Sequence, residues 1–446
     1  MQGIPPARAA IPMVSAYHRG PFTLGIHMYE SPLQAAHRRV LDRLLEHRLQ
    51  NARQAEEIRG GEVDRSGVVP EAILETVPWG MVGEESAPAC EIVIDYGELE
   101  GEYAALRRGL AVFDRPDRTV IELRGGDAID LLERLVTNKV PARDGVVGAF
   151  ILERTGRITA DLRIVVMNEQ VLLDLDRTDT AAVLSRLDGF IFAEDVQVRD
   201  LGESHHRIDC LGPDAPASVE HLLGVSVPGG GSITVATEDG EVLAFALEEG
   251  GGSCCGEPGI GLLAPREAIE SLWERLLSSP APGRRPGRAI GWNAFNIARI
   301  EHGRPLFHLD FGPDALPHET GLIPRRVDFR KGCYPGQEVV ARMEARGGGR
   351  GRRGVVGIRP DEDALPVAGA QVFDAERGIE NQVGVVTSST VSPLRGAAPI
   401  AFATVRASHM DPGSRVLVNA DGQTVAATVT NLEFEVPEAP EEKEGE

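Results

Sequence analysis

Residues 327–342 read VDFRKGCYPGQEVVAR. Gly332 and Gly336 permit backbone shapes barred to residues with a Cβ. Pro335 has no amide proton to donate and suits the first turn of a helix. The residues that follow, QEVVARMEA, have helical composition. The stretch therefore predicts a bent loop, KGCYPG, feeding a helix N-terminus, with Cys333 just ahead of it. Free amides and the dipole at such a terminus stabilise a thiolate. Lys331 would assist and Glu338 would oppose. Cys333 is thus expected to be the most reactive thiol of the chain. The plainer alternative is a small packed cysteine in a loop whose glycines only turn the chain.

Moving outward, NAFNIARIEHG (293–303) reads as a helix, preceded by the turn-rich connector PAPGRRPGR (280–288). Between 203 and 280 strands (HRIDCLG, SITVAT, EVLAFAL) mix with helices (ASVEHLLG, PREAIESLWERLLS). From Glu91 to Leu201 the order is EIVIDYGE, the helical EYAALRRGLAVFD, the strand TVIELRG, the helix GDAIDLLERLVTN, alternating strands GAFILERTGRITADLRIVVMN and QVLLDLD, the helix TDTAAVLSRLDGFI and the strand AEDVQVRDL. The hairpins argue for antiparallel pairing, hence an α+β class. Downstream, GVVGI, AQVFD, NQVGVVTSST, PIAFATVRA, SRVLVNA and QTVAATVTNLEFEV are short strands between turns, an all-β unit. At the N-terminal end, residues 1–30 read as a flexible lead. PLQAAHRRVLDRLLEHRLQNARQAEEI (32–58) reads as a helix packing on the main body, with a partner-binding helix as the alternative, and 60–91 as a linker.

Across 446 residues the formal charge is −22, which disfavours contact with nucleic acid phosphates, so an anionic ligand needs a local basic site. Five scattered cysteines give no disulfide framework, no stretch nears the ~20 apolar residues of a membrane span, and no secretory head is visible. These features fit a cytoplasmic protein. Of 46 basic residues only Lys139, Lys331 and Lys443 are lysine, which makes Lys331 informative. The adjacent Cys254 and Cys255 complete no zinc pattern and suggest a bland mobile loop, and His205–His206 a surface pair.

The order of these stretches resembles the folate-binding family of the glycine-cleavage T-protein. EYAALRRGLAVFD, TVIELRGGDAIDLLERLVTNKV, TGRITADLRIVV and NIARIEHGRPLFHLDF carry the likeness, and KGCYPGQE with Arg342 is similar to the mark of its YgfZ branch. The resemblance covers roughly residues 92–436. It implies a three-lobed arrangement of two antiparallel, ferredoxin-like α+β domains and a C-terminal β-barrel. The expected divisions are an extension (1–91), domain 1 (92–202 plus 316–348), domain 2 (203–315), a barrel (349–436) and an acidic disordered tail (437–446).

The resemblance implies tetrahydrofolate, or a one-carbon form of it, as cofactor, and no metal. It places Arg299, Glu301, Glu319, Asn138, Tyr334, Gln337, Glu338 and Arg342 on the folate side, with Cys333, Lys331 and Asp161 as the chemical groups. A bidentate Arg299 could hold a folate carboxylate, or pair with Glu301 structurally. Glu319 could bind pterin nitrogens or cap a turn, and Asn138 could line the pocket or fix a loop. Two departures matter. Aminomethyltransferases of this fold usually carry paired acids before the hairpin leucine, where this chain has Ala160–Asp161. YgfZ proteins can place a Trp where this chain has Arg118 and Thr119, and Trp79, Trp273 and Trp292 lie elsewhere. The expectation is a monomeric YgfZ-type helper of iron–sulfur cluster assembly or repair, acting on client or assembly proteins and only indirectly on tRNA modification. The alternatives are a tetrahydrofolate-dependent aminomethyltransferase and a non-catalytic scaffold.

Overall fold

In the computed structural model, residues 29–59, 74–80, 90–167, 170–238, 240–347 and 349–434 are described. The lead before Tyr29 and the acidic tail lie outside these residues, as does most of the expected linker.

Helix α1 (Gln34–Arg59) is followed by a short antiparallel pair, β1 (Thr76–Trp79) and β2 (Cys90–Val93). After α2 (Leu99–Arg108) and β3 (Ala111–Asp114), the first large sheet is built from β4 (Arg118–Arg124), β5 (Gly145–Leu152), β6 (Ile158–Met167), β7 (Gln170–Asp176) and β8 (Gln197–Asp200). Its order is β5-β6-β7-β4-β8 and all its pairs are antiparallel. Helices α3 (Ala128–Glu133) and α4 (Thr180–Asp188) cover one face, where Leu131, Leu132, Val183 and Leu187 are fully buried against Ile121, Leu123, Ile164 and Leu173.

The second sheet has the order β10-β11-β12-β9-β3-β13, from β9 (His205–Leu211), β10 (Ser232–Thr237), β11 (Gly240–Ala246), β12 (Gly259–Pro265) and β13 (Arg288–Ile290). Strand β3 therefore joins this sheet and not the first, so the chain passes from one unit to the other before β4. Helices α5 (Ala215–Leu223) and α6 (Ile269–Ser278) cover its outer face. Leu272, Trp273 and Leu276 of α6 are almost wholly buried there, each contributing roughly 1.5–3 kcal/mol. Each sheet buries one apolar face under its helices, and the other faces turn toward each other, where Val165, Met167 and Leu172 of the first sheet share a buried cluster with Leu243, Phe245 and Leu263 of the second.

Helices α7 (Trp292–Glu301), α8 (Ile323–Arg326) and α9 (Gln337–Gly347) lead into the closed barrel β14-β17-β16-β15-β18-β19, formed by β14 (Arg353–Pro360), β15 (Gln371–Asp374), β16 (Gln382–Ser392), β17 (Ala398–Arg406), β18 (Arg415–Ala420) and β19 (Gln423–Thr430). Its interior is Val, Ile and Ala in alternating positions. Phe307, Phe311, Tyr334, Phe402 and Phe434 form the apolar joint between barrel and body.

Of the described residues before the family-like module, Tyr29, Ser31 and His37 are docked on the body. Asp114 accepts from Ser31 Oγ (2.7 Å), His37 Nε2 (2.8 Å) and His206 Nε2 (2.5 Å). The outer ring nitrogens accept from Tyr96 (2.8 Å) and Tyr29 (2.9 Å). Each histidine is thereby satisfied at both nitrogens. Burial raises the Asp114 pKa, but His206 and His37 outweigh it and hold the carboxyl well below its usual range. The surface pair expected at His205–His206 is thus corrected: His206 is buried because β9 turns it into this network. The Cys254–Cys255 turn is likewise packed, with Cys255 buried and its carbonyl held by Arg107 at 2.8 Å.

Candidate active site

The site follows from the alternation of β6. Ile158, Ala160 and Leu162 point into the buried core, while Thr159, Asp161 and Arg163 are only partly covered on the inward face. Ala160, fully buried, belongs to the helix-covered core. The carboxylate missing from the expected acid pair is therefore missing from the core side, and Asp161 remains on the side facing the second sheet.

Arg326, ending α8, donates from Nε to Asp161 Oδ1 at 2.6 Å. Its guanidinium lies across Gly148 on β5, where a Cβ would stand 2.1 Å from Nη1, so the glycine leaves the room. Arg163 donates to Asp174 and to the Leu247 carbonyl (2.5 Å), bridging the two sheets. Asp174 also receives Arg118 and Arg207, and these three arginines together hold its carboxyl far down despite burial. Beside them Arg115 binds Asp117 (2.6 Å) and Asp209 (2.9 Å). Burial pushes Arg163 down to about 10, with Arg207 and Arg118 adding to the effect and Asp174 opposing it. Glu248 closes the cluster, facing Arg304 at 3.3 Å and Arg325 at 3.2 Å. Although they lie between two sheets, Asp161, Arg163 and Arg326 keep 14%, 20% and 21% of their side chains open. These partly open side chains form a polar, arginine-rich cluster beside the apolar residues shared by the two sheets, within a strongly acidic protein.

The motif loop lies beside α3. Lys331 is not spent on Cys333. Its ammonium donates to the carbonyls of Glu133 (2.9 Å), Val136 (2.7 Å) and Asn138 (3.1 Å), and pairs with the Glu133 carboxylate at 3.2 Å. Burial lowers its pKa, against the pull of Glu133. Three converging acceptors suit a tetrahedral ammonium and not a planar guanidinium, which explains a lysine in an arginine-rich chain. Cys333 is exposed and Tyr334 is buried in the joint with the barrel. Burial pushes the Tyr334 phenol up to about 12. Gly336 has φ +81° and packs against the β5–β6 turn, where a Cβ would stand 2.4 Å from the Glu153 carbonyl. Gly332 meets nothing and needs no such freedom. Gln337 and Glu338 open α9, with Glu338 and Arg342 exposed. A surface recess lined by Glu133, Lys139, Asp328, Arg330, Lys331 and Gly332 opens beside the loop.

Other residues expected on the folate side do structural work. Arg299 is fully buried and engages Asn296 (2.9 Å), the Arg304 carbonyl (3.1 Å), Asp310 (2.7 Å) and Ser388 of the barrel (2.6 Å). With its donors so occupied, it anchors barrel to body and does not present a fork to a cavity. Glu301 accepts from Tyr103 (2.6 Å), Arg107 (2.6 Å) and Ser392 (2.5 Å). Glu319 caps its own turn at Leu316 N (3.2 Å) and lies 3.6 Å from Arg353. Asn138 holds the carbonyls of Gly148 (2.9 Å) and Arg325 (3.4 Å), tying α8 to β5. Sequence reasoning overlooked Arg326, Arg163 and Glu248. Arg326 stood one residue before the quoted motif, but nothing local marked it as the partner of Asp161. Trp79 is also brought back, donating to Asp176 at 2.8 Å, opposite Arg118 in the sheet register.

The model of the GCVT N-terminal domain matches residues 90–331, and that of the glycine cleavage T-protein C-terminal barrel domain matches 353–434. The chain belongs to the glycine cleavage T-protein family. Two relatives in this T-protein family are the aminomethyltransferase of Moorella thermoacetica, 27% identical over 350 residues (76% of this chain, 90% of that one), and the probable aminomethyltransferase of Halobacterium salinarum, 26% identical over 357 residues (76% and 92%). The crystal structure of the glycine cleavage system aminomethyltransferase T from Bartonella henselae superposes with a TM-score of 0.69 at 21% identity, covering 81% of this chain and 95% of that one. The T-protein fold, two mixed α+β units and a closed six-stranded barrel, is thereby shown. No described helix is long and apolar enough to cross a membrane.

Proposed function

We propose that this T-protein family member binds tetrahydrofolate between its two sheets and transfers a one-carbon unit beside Asp161, as an aminomethyltransferase-type protein. The observation that carries this reading is the placement of Asp161: a carboxylate on the open side of β6, oriented by Arg326. A fixed negative charge at that point would stabilise a developing iminium or steer a proton. Arg163, Arg325 and Arg326 supply the local positive field that the glutamate carboxylates of a folate require in a protein of charge −22. The names of the relatives support the same reading.

The test has two parts. Tetrahydrofolate titrated into the purified protein should bind saturably. Methylene-tetrahydrofolate should then form when an aminomethylated lipoyl carrier protein is supplied. Binding without turnover would sink the transferase reading and keep the folate site.

A second reading is favoured by the exposed Cys333 in a loop similar to the YgfZ mark. There the folate-loaded protein supports iron–sulfur cluster assembly or repair through that thiol. Cys333→Ala should then fold normally yet fail to restore cluster-enzyme activity in a deletion strain, and full rescue by that variant would remove the thiol from the mechanism.

A further inference from the structure

We propose that His308, held by Asp179, is a proton donor to the departing atom in the one-carbon transfer at Asp161, an inference that rests on the transferase reading above.

His308 sits in the loop after α7 with φ +70°, a left-handed conformation unusual for a residue with a Cβ. Its backbone N–H donates to the Phe311 carbonyl at 2.8 Å, which fixes the turn. Residues held in this way cluster at functional sites, where surrounding structure supports the strain. The imidazole Nε2 lies 2.8 Å from Asp179 Oδ1 and 3.4 Å from Thr178 Oγ1. Asp179 is buried at the start of α4 and its second oxygen, Oδ2, has no partner among the described residues. Nδ1 of His308 also has no partner among the described residues, and 27% of the side chain stays open. A carboxylate that takes Nε2–H and leaves Nδ1 free is the arrangement that orients an imidazole for proton transfer.

The charged groups that act on His308 come from the β7–α4 junction and from β6. Asp179 and Asp176 stand at the junction of β7 and α4, and Asp161 stands on β6. Leu162 is the β6 partner of Leu175, so Asp161 and Asp176 lie one step further along the same neighbouring strands, on the inward face. Arg118 acts on Asp179 from β4. Burial lowers the His308 pKa, but the bond to Asp179 and the charges of Asp179, Asp176 and Asp161 more than reverse this, so Nδ1 holds a proton more readily than an ordinary histidine. Burial pushes Asp179 up to about 6 against the pull of His308.

The chemical step balances simply. As the folate nitrogen bonds to the one-carbon unit, the bond from that carbon to its former heteroatom breaks, and the electron pair stays on the heteroatom. Nδ1–H of the imidazolium supplies the proton that the departing atom needs, the proton displaced from the folate nitrogen passes to water, and the neutral imidazole is reprotonated from water, so charge balances. Closure to methylene-tetrahydrofolate repeats the exchange: the second folate nitrogen bonds to the same carbon and gives up its proton, while the remaining heteroatom leaves with its electron pair and takes up one proton. Asp179 acts as a positioning residue.

His308→Gly removes the imidazole and suits the φ +70° backbone, which offsets part of the cost of leaving Asp179 without its partner, and a thermal melt checks that the variant is folded under assay conditions. Methylene-tetrahydrofolate formation should fall roughly 100-fold, the alkaline limb of the pH–rate profile should vanish, tetrahydrofolate affinity should hold, and added imidazole should restore part of the rate. Asp179→Asn should shift that limb to lower pH. Wild-type turnover with an unchanged His308→Gly rate and profile would overturn the dyad alone. Saturable folate binding with no wild-type turnover would overturn the transferase reading, and the dyad's chemical role with it.

Discussion

Arg326 Nε donates to Asp161 Oδ1 at 2.6 Å across the bare backbone of Gly148. Two residues 165 positions apart thus set the orientation of the carboxylate on the inward face of β6. Asp161→Asn keeps the shape and removes the charge. Transfer should drop by about 100- to 1000-fold while the melting temperature barely moves. Steady-state assay of methylene-tetrahydrofolate beside a thermal melt decides this, and near wild-type turnover would remove Asp161 from the chemistry.

Lys331 should behave as a structural residue. Lys331→Met strands three carbonyls at the end of α3, at a cost of about 2–3 kcal/mol. Lys331→Arg should recover little of that, because a planar fork does not meet three converging acceptors. Urea unfolding of both variants measures it.

Arg299→Ala should destabilise by about 3–5 kcal/mol, because Asp310 is left buried with its ion partner gone. The loss should show at the joint between barrel and body, where Arg299 reaches Ser388. Amide hydrogen exchange on β16 should rise in the variant, and an unchanged pattern would contradict the anchoring role.

Glu102 gives a defined pH dependence. Its carboxylate accepts from Tyr96 N (2.7 Å) and Gly291 N (2.8 Å), yet burial outweighs those bonds and raises its pKa from 4.5 to about 7. Between these values the folded chain keeps a proton that the unfolded chain has released. Stability from this group therefore falls as pH rises through the window and levels off above it. Glu102→Gln should flatten the slope, as seen in unfolding free energies measured across and above that range.

Thiol reactivity should follow exposure. Cys333 should react with Ellman's reagent first and Cys254 more slowly, while Cys90, Cys210 and Cys255 wait for unfolding. Cys333→Ala should abolish the fast phase.

Much of the architecture was legible locally. Each strand of the β5–β6 hairpin and the barrel is marked by alternation and turn residues, and α6 and α7 by helical spacing. The assignment of β3 to the second sheet was not legible, since pairing with β9 and β13 is settled by contacts distant in sequence. His206 was misread for the same reason: a dipeptide of histidines says nothing about an aspartate 92 positions away.

The sequence by itself determined the family order of elements, the bent loop into α9 and the presence of Asp161, because side-chain period and turn chemistry act over a few residues. Tertiary structure alone decided which side of β6 that carboxylate faces, that Arg299 and Lys331 are consumed in holding the fold, and that His308 meets Asp179. Hydrogen bonds and charges are short-ranged in space and indifferent to separation along the chain, so their partners emerge only once the sheets have packed.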